Sequence, residues 1–154
     1  MRLSRLALPA LALAALPTLA AAQDPNRTAI LARQGQMELL QLHGGVLFGM
    51  ARGNIDYDAE LASLAAGNIL AVTTLDQSLL WPEGSGVGEA TEETRALPAI
   101  WEDNATFMGH WSDLGLAAEA LAEAAGGGLE SMQAAIGPLG QSCSGCHESF
   151  RQSN

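Results

Sequence analysis

The sequence predicts an all-α protein, an up-down-up-down antiparallel four-helix bundle. Three observations carry this: four stretches place apolar residues at three-and-four spacing, the breaks between them hold residues that end helices, and two of the three connections are short. Helices of roughly 20 to 27 residues reach about 30 to 40 Å, and short links between rods of that length force consecutive helices to run antiparallel.

Helix one is expected from about Pro25 to Ala51, burying Ile30, Met37, Leu40, Val46, Leu47 and Met50, with Gly53 after its end. Helix two opens near Asp58, whose carboxylate can accept from an orphan backbone N–H. Its stripe is Leu61, Leu64, Ala65, Ile69, Val72, Leu75 and Leu79, and Pro82 stops it. Helix three starts close to Pro98, because proline suits a first turn. It runs through Ile100, Trp101, Ala105, Met108, Trp111, Ala118 and Leu121 to the stop at Gly126-Gly127-Gly128. Helix four runs from about Leu129 through Met132, Ile136, Leu139, Cys143, Cys146, His147 and Phe150. Gly137-Pro138 is expected to kink or interrupt it. Between helices two and three, Trp81 to Leu97 is a loop longer than bundle packing needs; such a loop either covers a site or is plain mobile surface.

The N-terminal residues read as a secretory signal peptide. Arg2 and Arg5 precede an apolar run from Leu6 to Leu19 broken by Pro9 and Pro17, followed by Ala20-Ala21-Ala22. That run is too short and too proline-interrupted to be a stable membrane span, so cleavage after Ala22 leaves no membrane anchor. Residues 1–22 are thus a leader, and residues 23–154 fit one compact domain. The cleaved chain keeps only Arg27, Arg33, Arg52, Arg95 and Arg151 as cations against 17 acids, with no lysine, and is more acidic than the −10 of the whole sequence. Such a surface repels nucleic acid and anionic lipid. It serves either simply as a solvated face or to steer basic partners.

The only two cysteines lie in Cys143-Ser144-Gly145-Cys146-His147, a CxxCH near the C-terminal end. This reads as a covalent attachment site for one haem c per chain. Two thiols three positions apart can add to the two vinyl groups of one porphyrin, and the following imidazole, His147, is then held where it reaches the iron as a neutral ligand. A zinc site lacks ligands, since His43 and His110 have no ligand-like spacing to the motif. A redox CxxC belongs at the start of a helix in a βαβ pattern, which the chain does not show; a disulfide stays as the alternative. Export fits the haem reading, because thiols in an oxidising compartment become disulfides unless another reaction consumes them. Other positions follow from spacing. Arg33, Met37 and Leu40 form one stripe of helix one, and Arg151 lies four residues after His147 on the same face. Gly44-Gly45 would let helix one approach the haem edge or another subunit closely. Trp101, Phe107 and Trp111 read as core or interhelix contacts, and His43 and His110 as surface residues.

A C-terminal CxxCH on the last of four helices, behind a signal peptide, resembles the cytochrome c′ family, the class II c-type cytochromes. Further similar stretches are Arg33-Gln34-Gly35-Gln36-Met37, Tyr57-Asp58-Ala59, Trp81-Pro82-Glu83-Gly84-Ser85, Ala96-Leu97-Pro98-Ala99-Ile100-Trp101 and His147-Glu148-Ser149-Phe150-Arg151. The resemblance implies a periplasmic haem protein that is not an enzyme, with high-spin pentacoordinate iron that binds NO and CO and is capable of electron transfer. The alternative it carries is a low-spin electron-transfer cytochrome with Met37 as sixth iron ligand. It also implies that Arg33 and Gln34 contact the haem propionates, that Thr94 adds a weaker polar contact, that Trp81 flanks the distal pocket, and that Arg151 lines the proximal one. Relatives of this kind are commonly homodimers joined through the first two helices. The sequence leaves association state and redox partners open.

Overall fold

The computed structural model describes residues 24–153, so the leader reading for residues 1–22 lies outside the described residues. Five helices are present: α1 (Arg27–Ala51), α2 (Ala59–Thr73), α3 (Ala99–Glu102), α4 (Asn104–Ala124) and α5 (Leu129–Phe150). The four long ones form the bundle, with α1 against α2 and α5, and α4 against α2 and α5. Its core is built from Leu47, Met50, Ile69, Leu121, Met132 and Ile136 around a seam of alanines on α2 and α4 that allows close approach. Among the described residues there is no β-strand, only an isolated antiparallel bridge between Ala96 and Arg151.

Helix ends follow the chemistry of their caps. Asp58, in an extended conformation, accepts from the Leu61 N–H at 2.8 Å, a cap worth about 1 kcal/mol. Gly128 precedes α5 at φ 115°, a conformation that L side chains rarely adopt. Tyr57 ties the two short connections together: its hydroxyl donates to the Ala125 carbonyl at 2.8 Å and accepts from the Gly128 N–H at 3.0 Å.

Several sequence expectations are corrected. Helix two ends at Thr73 rather than at Pro82, because the Thr73 and Thr74 hydroxyls donate to Leu70 and Ala71 carbonyls while Asp76 accepts from the Ser78 N–H and turns the chain. Its buried face is Ala62, Ala65, Ala66, Ile69 and Val72, whereas Leu61, Leu64, Leu75 and Leu79 are exposed. The third helix is broken at Asp103, whose carboxylate caps α4 by accepting from Thr106 N–H. The break resets the register, so Phe107 is buried and Met108 exposed. Pro138 does not interrupt α5, which runs unbroken through it. α1 approaches α5 closely where Phe48 faces Gly140, while within the chain a Cβ at Gly45 would meet nothing within 4 Å and one at Gly44 only Phe48 of its own helix.

Candidate haem site

The last three turns of α5 gather Cys143, Cys146, His147 and Phe150. Three-and-four spacing puts them along one flank of the helix. Both thiols are free and half-buried, and burial pushes each above the usual thiol range. His147 is likewise half-buried. Burial first, then the positive charges of Arg151 and Arg95, hold its imidazole below the usual range, so its ring nitrogens are available as neutral donors to a metal. Among the described residues no group of three or more His, Cys, Asp or Glu side chains could hold a metal ion between them, which leaves the zinc reading without support.

Two hollows meet at His147 and Arg151. One, about 380 Å³, is walled by Met37 of α1, Trp81 and Ile100, Phe107 of α4, and Cys146 and Phe150 of α5. The other, about 560 Å³ and more open, lies between Phe48 and Arg52 of α1 and Gly140, Cys143 and Ser144 of α5. The two thiols thus face different hollows, with the imidazole between them. Arg33, Gln34, Thr94 and Arg151 also line the smaller hollow, so every site residue named from the sequence borders one or the other.

Arg33 is 3% exposed. Its fork donates to the Leu80 carbonyl (3.2 Å), the Ser85 hydroxyl (2.7 Å), the Ser85 carbonyl (2.6 Å) and the Thr94 hydroxyl (2.9 Å). All four terminal N–H groups are therefore spent on the loop, and only Nε–H is left for another partner. Burial pushes its pKa down to about 10, and among the described residues no carboxylate pairs with it, the ion pair there being Arg27–Glu92 at 2.9 Å. Gln34 donates to the Glu93 carbonyl at 2.8 Å.

An aromatic chain closes the hollow. The Trp81 ring meets Phe107 edge-on at 4.8 Å, Phe107 meets Phe150 at 5.4 Å, and Phe150 meets His110 at 5.8 Å, while the Arg33 guanidinium sits 4.6 Å over Trp81. Phe107 is therefore a wall of the site as well as core. His110 is packed against Phe150 and lies beside Gly145 within the haem motif, and His43 is half-buried with Nε2 at 3.3 Å from the Asn68 amide; neither is a free surface residue. Sequence reasoning missed Ile100 and Phe107 as lining residues, although the Asp103 cap signal would have set the right register. It also missed Ser85, which is fully buried, and Arg95, whose guanidinium donates to the Gln152 carbonyl. Arg95 belongs to a clasp in which Leu97 N–H donates to Phe150 O at 3.0 Å and Gln152 N–H to Arg95 O at 2.9 Å.

These residues suit a porphyrin: paired thiols with a neutral imidazole between two adjoining hollows, Met37, Trp81, Ile100, Phe107 and Phe150 as apolar wall for the macrocycle, and on the border of the same hollow a buried cation that no carboxylate pairs with among the described residues. A helical bundle with these groups on its last helix defines a class II c-type cytochrome. The chain belongs to the cytochrome c′ family, whose model matches residues 28–151. It is 42% identical over 149 residues to cytochrome c-554 of Cereibacter sphaeroides, covering 94% of this chain and 97% of that one. Among solved structures it resembles cytochrome c′ of Rhodobacter sphaeroides, with TM-score 0.80, 33% identity, and 84% and 98% of the two chains covered. It also resembles the nitric oxide complex of an L16I mutant of cytochrome c′ from Alcaligenes xylosoxidans, with TM-score 0.71, 27% identity, and 86% and 98% covered. As a member of this family the chain carries covalently attached haem c. Among the described residues no helix is long and apolar enough to cross a membrane.

Proposed function

We propose that this is a periplasmic haem protein, exported by a leader that ends at Ala22, which binds small uncharged diatomic gases, nitric oxide and carbon monoxide, at a five-coordinate centre. The observation that carries the reading is the hollow of about 380 Å³ next to His147, where Met37, Trp81, Ile100, Phe107 and Phe150 form an apolar wall and Arg33, Gln34, Thr94 and Arg95 a polar rim. The nitric oxide complex of the Alcaligenes relative supports it. When bound, haem c supplies an iron that can take a diatomic ligand and change between ferric and ferrous states.

The residues divide the remaining work. Cys143 and Cys146 tether the group, and His147 presents a neutral ring nitrogen to the metal. Met37, half-buried on α1, fills space on the far wall and keeps larger ligands out. The side chains of Met37, Trp81, Ile100, Phe107 and Phe150 carry no free donor toward the hollow, which favours gases that bind without a hydrogen bond. Arg33 provides positive charge for the propionates, and Gln34 and Thr94 border the same edge. Arg151 borders both hollows beside His147. Binding rather than turnover fits these roles, because the terminal N–H groups of the one buried arginine are held by the loop.

A second reading follows from Met37 alone. Its side chain borders the same hollow as His147, and bound to the iron as a sixth ligand it would give a closed electron-transfer protein. The ferrous visible spectrum with and without carbon monoxide decides between the two. A high-spin spectrum that changes on adding the gas supports the first; a sharp low-spin spectrum unaffected by it supports the second.

A further inference from the structure

Gln36 on α1 and Gln77 in the turn after α2 are 5% and 4% exposed, 41 residues apart, and in contact. The Gln77 Oε1 accepts from Gln36 Nε2 at 3.3 Å and from the Trp81 indole N–H at 3.4 Å. Its amide is held the right way round by Nε2, which donates to the Leu75 carbonyl at 2.8 Å; the reverse orientation would set an NH2 against two donors. The pairing is incomplete, since Gln36 Oε1 is buried with no partner. Two buried amides, one of them half-satisfied, are costly at a place where leucine would pack well.

Their common product is the position of Trp81. The indole has one polar atom, and it is directed to Gln77, which does not border the hollow. The ring is further fixed by Phe107 edge-on and by Arg33 above it, and the Trp81 carbonyl accepts from Trp101 Nε1 at 2.9 Å. Trp81 is thereby held as a wall of the hollow whose donor is engaged elsewhere. We infer that Gln77, supported by Gln36, is a positioning residue: by accepting the Trp81 N–H it fixes the indole as a wall of the gas-binding hollow, with its N–H turned away from the space that the ring borders. This rests on the gas-binding reading.

The test uses the ferrous holoprotein, with the Trp81 indole resonance followed in ¹H–¹⁵N spectra and carbon monoxide association followed after flash photolysis. Gln77→Met keeps the chain length and removes the acceptor; it is expected to move the indole resonance and change the association rate by about threefold or more, the effect of losing one modest hydrogen bond. Gln77→Glu returns an accepting oxygen and is expected to bring both readouts back toward wild type. Trp81→Phe keeps a ring and removes the N–H, so it tests the loss of the same hydrogen bond through the association rate alone if Gln77→Met fails to fold. A wild type that binds the gas while these variants leave the rate or the indole resonance unmoved overturns this inference alone. A wild type that binds no carbon monoxide overturns it together with the gas-binding reading.

Discussion

Arg33 donates to both the hydroxyl and the carbonyl oxygen of Ser85, at 2.7 and 2.6 Å, so one side chain of α1 holds a residue 52 positions later in the loop. Ser85 in turn donates to the Pro82 carbonyl at 2.6 Å and is fully buried. Ser85→Ala leaves a buried guanidinium one acceptor short. The unfolding free energy of the holoprotein should fall by about 1.5–3 kcal/mol in guanidinium titrations followed by circular dichroism, the range for a hydrogen bond to a charged group. An unchanged midpoint would show that the loop is held by other contacts.

Met37 decides how open the gas-binding hollow is. Under the five-coordinate reading, Met37→Ala speeds carbon monoxide association by roughly tenfold, equivalent to about 1.4 kcal/mol of steric work removed, with no change of spin state. If the spectrum instead turns from low-spin to high-spin in the variant, the thioether was an iron ligand and the electron-transfer reading holds.

The pH response of His147 depends on its charged neighbours. Burial and the Arg151 and Arg95 charges lower its proton affinity, so the neutral ring persists to lower pH than an ordinary imidazole would. Removing Arg151 raises that affinity, and protons then compete for the ring at higher pH. Arg151→Gln is therefore expected to move the acid transition of the holoprotein spectrum upward by roughly a few tenths of a pH unit, because Arg151 is exposed and screened. In about 1 M salt the difference from wild type should disappear.

Tyr57→Phe removes a hydroxyl that serves two backbone groups at the turn end of the bundle. A loss of about 1–2 kcal/mol in unfolding free energy is expected, with the ferrous spectrum unchanged because the site lies elsewhere. A spectral change in this variant would mean that the turns and the haem site are coupled.

What the sequence made legible was whatever is written locally. CxxCH is decided within five residues, Asp58 caps the helix it precedes, and the bounds of α1 and α5 follow their periodicity, although α5 lacks the interruption that Pro138 led one to expect. The errors arose where side chains compete with the backbone. Thr73, Thr74 and Asp76 end α2 early, and Asp103 divides what reads as one helix. The loop was illegible for another reason: Ser85, Gln77 and Arg95 acquire their roles from partners 41 to 57 residues away, and nothing in the neighbouring residues signals such pairings. The family resemblance implies a propionate contact for Arg33, but its four bonds to the loop become apparent only once the loop is folded over it.

The hollow beside His147 draws its walls from near both ends of the described chain, Met37 at one side and Cys146 and Phe150 at the other. Contacts of such sequence separation cost more loop-closure entropy than local ones. Cys143 packs against the bundle core and Cys146 against the cluster of Phe107 and Phe150, so both sulfurs become half-buried as the helices close. A porphyrin reaches them more easily on an open chain, with the N-terminal helix docking around it afterwards.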